Sequence, residues 1–169
     1  QALFGMKTSS KPRPARAVSV GDGYVGLNII PKRDGYVDAI DHFGMLVEDV
    51  RPVLERMKKK HAKANIVRRP SSRPFAAFSG HDPDGNVFDL AQKKGDTRKE
   101  IYADIAEKEW AQDRYFNKFA IRTPNAEECA AFYRDVFELE PVNRPGAPGY
   151  HLTDGRVTLS LLPWSIPVF

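Results

Sequence analysis

The 169-residue chain has a single cysteine, Cys129. No disulfide can form within it, so small disulfide-stapled scaffolds are excluded. No apolar run is long enough to cross a bilayer as a helix, and no stretch reads as the apolar centre of a signal peptide. These absences lead to the expectation of a reducing, cytoplasmic setting. A dominant charge sign is missing too. There are 26 basic and 22 acidic residues, a formal charge of +4, which is too small and too spread out to argue for nucleic acid. The densest basic run, Lys58 to Lys63, falls at the end of a predicted helix, where cations complement the dipole and face water. What is present is a 41% hydrophobic content, enough for the core of one ordinary domain or two very small ones.

One stretch sets the central question. In "AIDHFGMLVEDV", Ala39 to Val50, strand alternation points Ile40, His42, Gly44 and Leu46 one way and Asp41, Phe43, Met45 and Val47 the other. Both faces are mostly apolar, which predicts a strand central in its sheet with His42 buried. A buried imidazole needs a hydrogen bond or a metal ion.

The chain repeats itself. "DGYVGLNIIP" from Asp22 and "DGRVTLSLLP" from Asp154 share Asp, Gly, Val, Leu and Pro at the same places. A third version, "HDPDGNVFDLAQ", starts at His81. Residues 35–94 read as a complete β-α-β-β-β module. Its helix is capped by Asp49, runs to about His61 and carries the stripe Val50, Val53, Leu54, Met57. Strands follow near "NIVRR", "PFAAFSG" and "NVFDLAQ".

Residues 113–169 repeat the pattern, from "YFNKFAIRT" through a helix with the stripe Cys129, Phe132, Tyr133, Val136. Asn125 with Glu128 reads as its capping box. Residues 1–34 hold only the later strands of a first module, and residues 95–112 read as an amphipathic linker helix. The pattern leads to the expectation that the chain starts partway through a structural unit, as a piece of a four-module protein would.

Other polar residues have plain readings. Asp82, Asp84 and Gly85 form a turn, since no calcium-loop spacing follows. His61 faces solvent at a helix end, Cys129 is a packed thiol, and Phe75, Phe78 and Phe88 belong to the core. Trp164 covers an open end of the last sheet. His81 sits beside the turn or at the mouth of a cleft, and one of Tyr150 and His151 faces the concave side of its sheet.

The repeated modules, the "DHFGMLVEDV" start and the "DPDGNVFDL" finish resemble the vicinal oxygen chelate superfamily. That group includes glyoxalase I, bleomycin- and fosfomycin-resistance proteins and extradiol ring-cleaving dioxygenases. The resemblance implies an α+β fold in which modules pair into curved mixed sheets around a cleft. It also implies a divalent metal held by a histidine from a first strand and a carboxylate from a last strand. His42 and Asp89 match those positions, although glutamate is usual at the second. Lys118, Ser160 and Asn28 stand where ligands would be in the other modules.

The implied activity is that of a metal-dependent enzyme acting on a small molecule with neighbouring oxygens. A ring-cleaving dioxygenase with ferrous iron comes first. A glyoxalase-like lyase or isomerase with nickel, zinc or manganese comes second, and a metal-free, bleomycin-resistance-like binding protein is the rival. Tyr150, His151 and His81 are the candidate substrate-binding residues. A small-molecule substrate is the expected partner, with neither nucleic acid nor membrane. A homodimer would cover the sheet edge of an orphan half-module.

Overall fold

The structure is a computed structural model that describes residues 7–8, 18–22, 24–32, 34–70, 77–95 and 115–165. The expected linker helix over 95–112, Gly95 apart, and Phe75 lie outside the described residues. The described residues form two compact units. One holds those up to Ile40 together with Tyr115 and Phe116, and the other runs over Asp41–Gly95 and from Asn117 onward.

The first unit is an antiparallel three-stranded sheet, β1 (Lys7–Thr8), β2 (Val18–Gly21) and β3 (Gly26–Ile29), in that order. Its β2–β3 turn is fixed by buried Asp22. One carboxylate oxygen accepts from the backbone N–H of Tyr24 at 2.9 Å and of Val25 at 2.7 Å, and the other accepts from that of Phe116 at 2.7 Å.

The second unit repeats one topology. β4 (Phe43–Val47), α1 (Val50–Lys60), β5 (Ile66–Arg68), β6 (Phe78–His81) and β7 (Val87–Gln92) make the first module. β8 (Lys118–Thr123), α2 (Ala126–Phe137), β9 (Glu140–Pro141), β10 (Tyr150–Thr153) and β11 (Thr158–Pro163) make the second. The sheet orders are β4-β7-β6-β5 and β8-β11-β10-β9. In each sheet the module's first and last strands pair in parallel and the other neighbours are antiparallel, so the fold is α+β with mixed sheets.

The strand after His42 is not central. β4 lies at the end of its sheet, and its apolar residues split between the two faces. Phe43, Met45 and Val47 pack on the core, while Leu46 lies 40% exposed. The apolar character of the second face reflects an uncovered sheet face, not burial on both sides. His42 itself precedes the strand, with its side chain 33% exposed.

One core serves both modules. Phe88 and Leu90 of β7, Val53 and Met57 of α1, Phe132, Tyr133 and Val136 of α2, and Leu152, Leu159 and Leu161 of the second sheet form a single cluster. The Phe88 and Phe132 rings lie 5.9 Å apart, and those of Phe43 and Tyr133 lie 6.0 Å apart. Gly80 is needed for this packing, since a Cβ there would stand 2.9 Å from the Phe88 ring. Both sheets turn their apolar faces to this shared layer, so their other faces point away from it and from each other. Cys129 is fully buried here, and burial pushes its thiol up to about 12, which makes it a packing residue.

The Asp82–Gly85 turn is more than a turn. Buried Asp82 accepts from the N–H groups of Asp84 and Asn86 and from the Tyr133 hydroxyl at 3.0 Å, tying β6–β7 to α2. The expected capping box at Asn125 does not form, because the Asn125 side chain makes no cap bond. Asp84 supplies it from the other module. Its carboxylate accepts from the Asn125 N–H and side-chain amide, both at 2.7 Å, and from the Thr123 hydroxyl. Burial would raise the Asp84 carboxyl, but the bonds from Thr123 and Asn125 outweigh it and hold the group below its usual range.

At the other end of α2, Arg56 Nε donates to the Val136 carbonyl at 2.8 Å. His61 is not free in solvent: its Nε2 meets Asp135 at 3.1 Å and its ring sits edge-on to Phe132. Trp164 is 68% exposed, so most of its surface is not packed on the sheet end.

Candidate functional site

Register builds the site on the first sheet. Gly44 lies opposite Asp89, and Asp89 lies opposite Ser79. Because Phe88 and Leu90 must enter the core, Asp89 between them is turned to the outer face. His42, two residues before Gly44, reaches the same place from the neighbouring strand. Its Nε2 stands 3.4 Å from Asp89 Oδ2. No Cβ at Gly44 would meet any atom within 4 Å, so the space beside the pair is open.

Two residues that sequence reasoning missed complete the cluster. Ser79 donates to Asp89 Oδ1, and Arg69 Nη1 donates to Ser79 Oγ at 2.7 Å while lying 3.7 Å from the same carboxylate oxygen. The signal for Ser79 was available, since counting outward from the Asp-Gly turn puts it opposite Asp89. Arg69 follows β5 and reaches diagonally, which no spacing rule anticipates.

Asp41 decides the imidazole's tautomer. Its Oδ2 lies 2.7 Å from His42 Nδ1, and a carboxylate only accepts, so Nδ1 carries the proton. Nε2 then faces Asp89 Oδ2. Two acceptors at that distance repel unless a proton or a cation lies between them. The donor set fits a metal ion: two donors each about 2.1 Å from one ion lie roughly 3.0–3.4 Å apart. A carboxylate on the remote ring nitrogen is the usual support for a metal-binding histidine. Among the described residues no group of three or more His, Cys, Asp and Glu gathers around one point, so this is a two-donor pair.

The remaining expected site residues separate. His81 shares the outer face with Ser79 and Asp89, half-buried, and its Nδ1 donates to the Asp82 carbonyl at 2.9 Å. His151 faces outward on the second sheet, opposite Ser160, with Nδ1 2.8 Å from Ser160 Oγ. Tyr150 pairs with core residue Leu161, so it lies on the helix side of that sheet, 41% exposed. The tyrosine and the three histidines therefore do not converge on one cleft.

No protein-family model matches the sequence, and no curated protein matches it. Solved structures do match. A halotolerant catechol dioxygenase superposes with a TM-score of 0.64 at 12% identity, over 95% of this chain and 58% of its own. A fusion of a xylose isomerase-like TIM barrel with a 4-hydroxyphenylpyruvate dioxygenase gives 0.61 at 14% identity, over 95% of this chain and 28% of its own. A hypothetical protein from Staphylococcus aureus gives 0.54 at 7% identity, over 97% of this chain and 78% of its own. The chain thus spans 58% and 28% of the two dioxygenases that it resembles. No described helix is long and apolar enough to cross a membrane. Doubled β-α-β-β-β modules, a parallel pairing of first and last strands in each, and these superpositions together give this chain the vicinal oxygen chelate fold.

Proposed function

We propose that this chain belongs to a metal-dependent oxidoreductase of the ring-cleaving dioxygenase type, acting on a small molecule with neighbouring oxygens. His42 and Asp89 are two of its metal ligands. The observation that carries this reading is the placement of His42, with Nδ1 2.7 Å from Asp41 Oδ2 and Nε2 3.4 Å from Asp89 Oδ2. Ferrous iron is the first choice, with nickel, zinc or manganese marking a glyoxalase-like lyase or isomerase instead. Bound there, a divalent ion would supply chelation of two substrate oxygens and stabilise developing negative charge.

The chain's own residues do the rest. Asp41 orients the imidazole and strengthens it as a donor. Ser79 and Arg69 hold Asp89 in place and balance its charge. Arg69 also presents a guanidinium beside the open space at Gly44, suited to an anionic oxygen of the substrate.

A second reading has its own observation. The Arg69–Asp89 contact is already a built-in cation partner for the carboxylate, as a metal-free binding module would have. Elemental analysis of protein purified anaerobically without chelators separates the two. Stoichiometric metal that disappears in His42→Ala and Asp89→Asn supports the enzyme reading, with iron pointing to catechol-type substrates and oxygen uptake. Metal-free wild-type protein that also binds no added ferrous, nickel, zinc or manganese ion sinks it in favour of the binding module.

A further inference from the structure

The second sheet carries a polar cluster that the metal reading does not use. By register, Ala120, Ser160, His151 and Val142 form a row across it, as Gly44, Asp89, Ser79 and Val67 do across the first. Ser160 takes the place of Asp89 and His151 that of Ser79. Lys118, two residues before Ala120, takes the place of His42, and Arg144, two beyond Val142, that of Arg69. The carboxylate is gone and a cation stands at either end.

His151 is 7% exposed and Ser160 is fully buried. Ser160 Oγ is 2.8 Å from Nδ1, yet Nε2 of the same ring is buried with no hydrogen-bond partner. A neutral ring that accepts the Ser160 proton at Nδ1 must carry its own proton on Nε2. That N–H is then a buried donor without an acceptor, which is costly and rare. Burial, with the positive charges of Arg144 and Lys118, lowers the His151 pKa and keeps the ring neutral. The field at Nε2 therefore calls for an acceptor with negative charge. Arg122 shares this face with Lys118, and Glu140 stands at its edge.

We propose that the outer face of the second sheet is a binding site for a small oxyanion, a carboxylate or phosphate group of a ligand. His151 Nε2–H is its central donor, and Lys118 and Arg144 are its flanking cations. Both cations are exposed long side chains and can re-form around an incoming group without backbone movement. The site needs no metal and stands apart from the His42–Asp89 pair, so it does not rest on the metal reading.

The test is a titration of the full chain with sodium acetate and, separately, inorganic phosphate, following the His151 ring nitrogens by NMR against sodium chloride at matched ionic strength. A saturable shift of Nε2 with either anion is expected, acetate identifying the carboxylate source and phosphate the other. Lys118→Ala with Arg144→Ala should weaken it by about tenfold or more, as the loss of two charge-assisted contacts does. Both substitutions are at exposed positions, so the fold is kept and the result stays readable. The absence of a saturable shift with both anions, or an adventitious ion only, seen as a shift that the double variant leaves unchanged, would overturn the proposal.

Discussion

The two modules of the second unit are one backbone plan with two chemistries. Both run β-α-β-β-β and both turn a row of four register-equivalent positions outward. In the first, the centre of that row is Asp89, anionic, with Ser79 donating to it, Arg69 paired with it at 3.7 Å and His42 beside it. In the second, the centre is the neutral Ser160–His151 pair between two cations. Strand register sets where a functional group stands, while the identity of a few side chains sets which sign of charge the face attracts. A repeat can thus keep its fold and reverse its ligand preference.

The strongest way to break the comparison is to strike what the modules share. Phe132→Ala removes a fully buried ring from the common core and should cost about 3–5 kcal/mol. Because residues of both sheets meet that ring layer, calorimetry should still show a single transition, shifted down. Two separate transitions would mean that the modules are independent after all.

The next largest effect separates the two faces. Asp89→Ala leaves Ser79 without its acceptor and Arg69 without its carboxylate partner in a partly buried place and should cost about 1–3 kcal/mol. Ser160→Ala removes one neutral hydrogen bond and should cost about 1 kcal/mol. Urea midpoints of the two variants measure the gap; equal losses would show that the carboxylate carries no special share.

pH should tell the faces apart as well. The folded state lowers the His151 pKa from its ordinary 6.5, so the unfolded chain binds the proton more readily. The stabilisation is complete above about 6.5 and is lost as the pH falls from there through the folded value. Asp84, held below its ordinary 3.8, contributes in the same direction but only in more acid solution. His151→Gln should flatten the loss that sets in below about pH 6.5 and leave the more acid limb intact. An unchanged profile in the variant would remove His151 as its source.

The smallest effect comes from restoring a histidine at the equivalent of His42. Lys118→His is at an exposed strand position and should change stability by no more than about 0.5 kcal/mol. It should recruit no zinc or nickel, since Ser160 offers no carboxylate. Metal uptake by this variant alone would show that register, without the charge at its centre, suffices.

Much of this was legible in the sequence. Asp49 was readable as a cap and Val53 and Met57 as a buried stripe, because helix signals are local. Alternation around Asp89 was legible too, since Phe88 and Leu90 leave it only one way to point. The central placement of the His42 strand was not, because an apolar face reads the same whether it is covered or bare. The capping of Asn125 by Asp84 joins positions far apart in the chain, and a local Asn–Glu pattern gave the wrong partner.

The sequence by itself determined the doubled module, the helix stripes and the identity of the groups at each register position, since these follow from periodicity and residue type. Only the tertiary structure decided that the two modules share one core through their helices, so that their polar faces point apart. Only it showed that Arg69 and Ser79 hold Asp89, and that one nitrogen of His151 is buried without a partner. Those outcomes depend on packing between distant segments, where burial and the supply of hydrogen-bond partners are settled together.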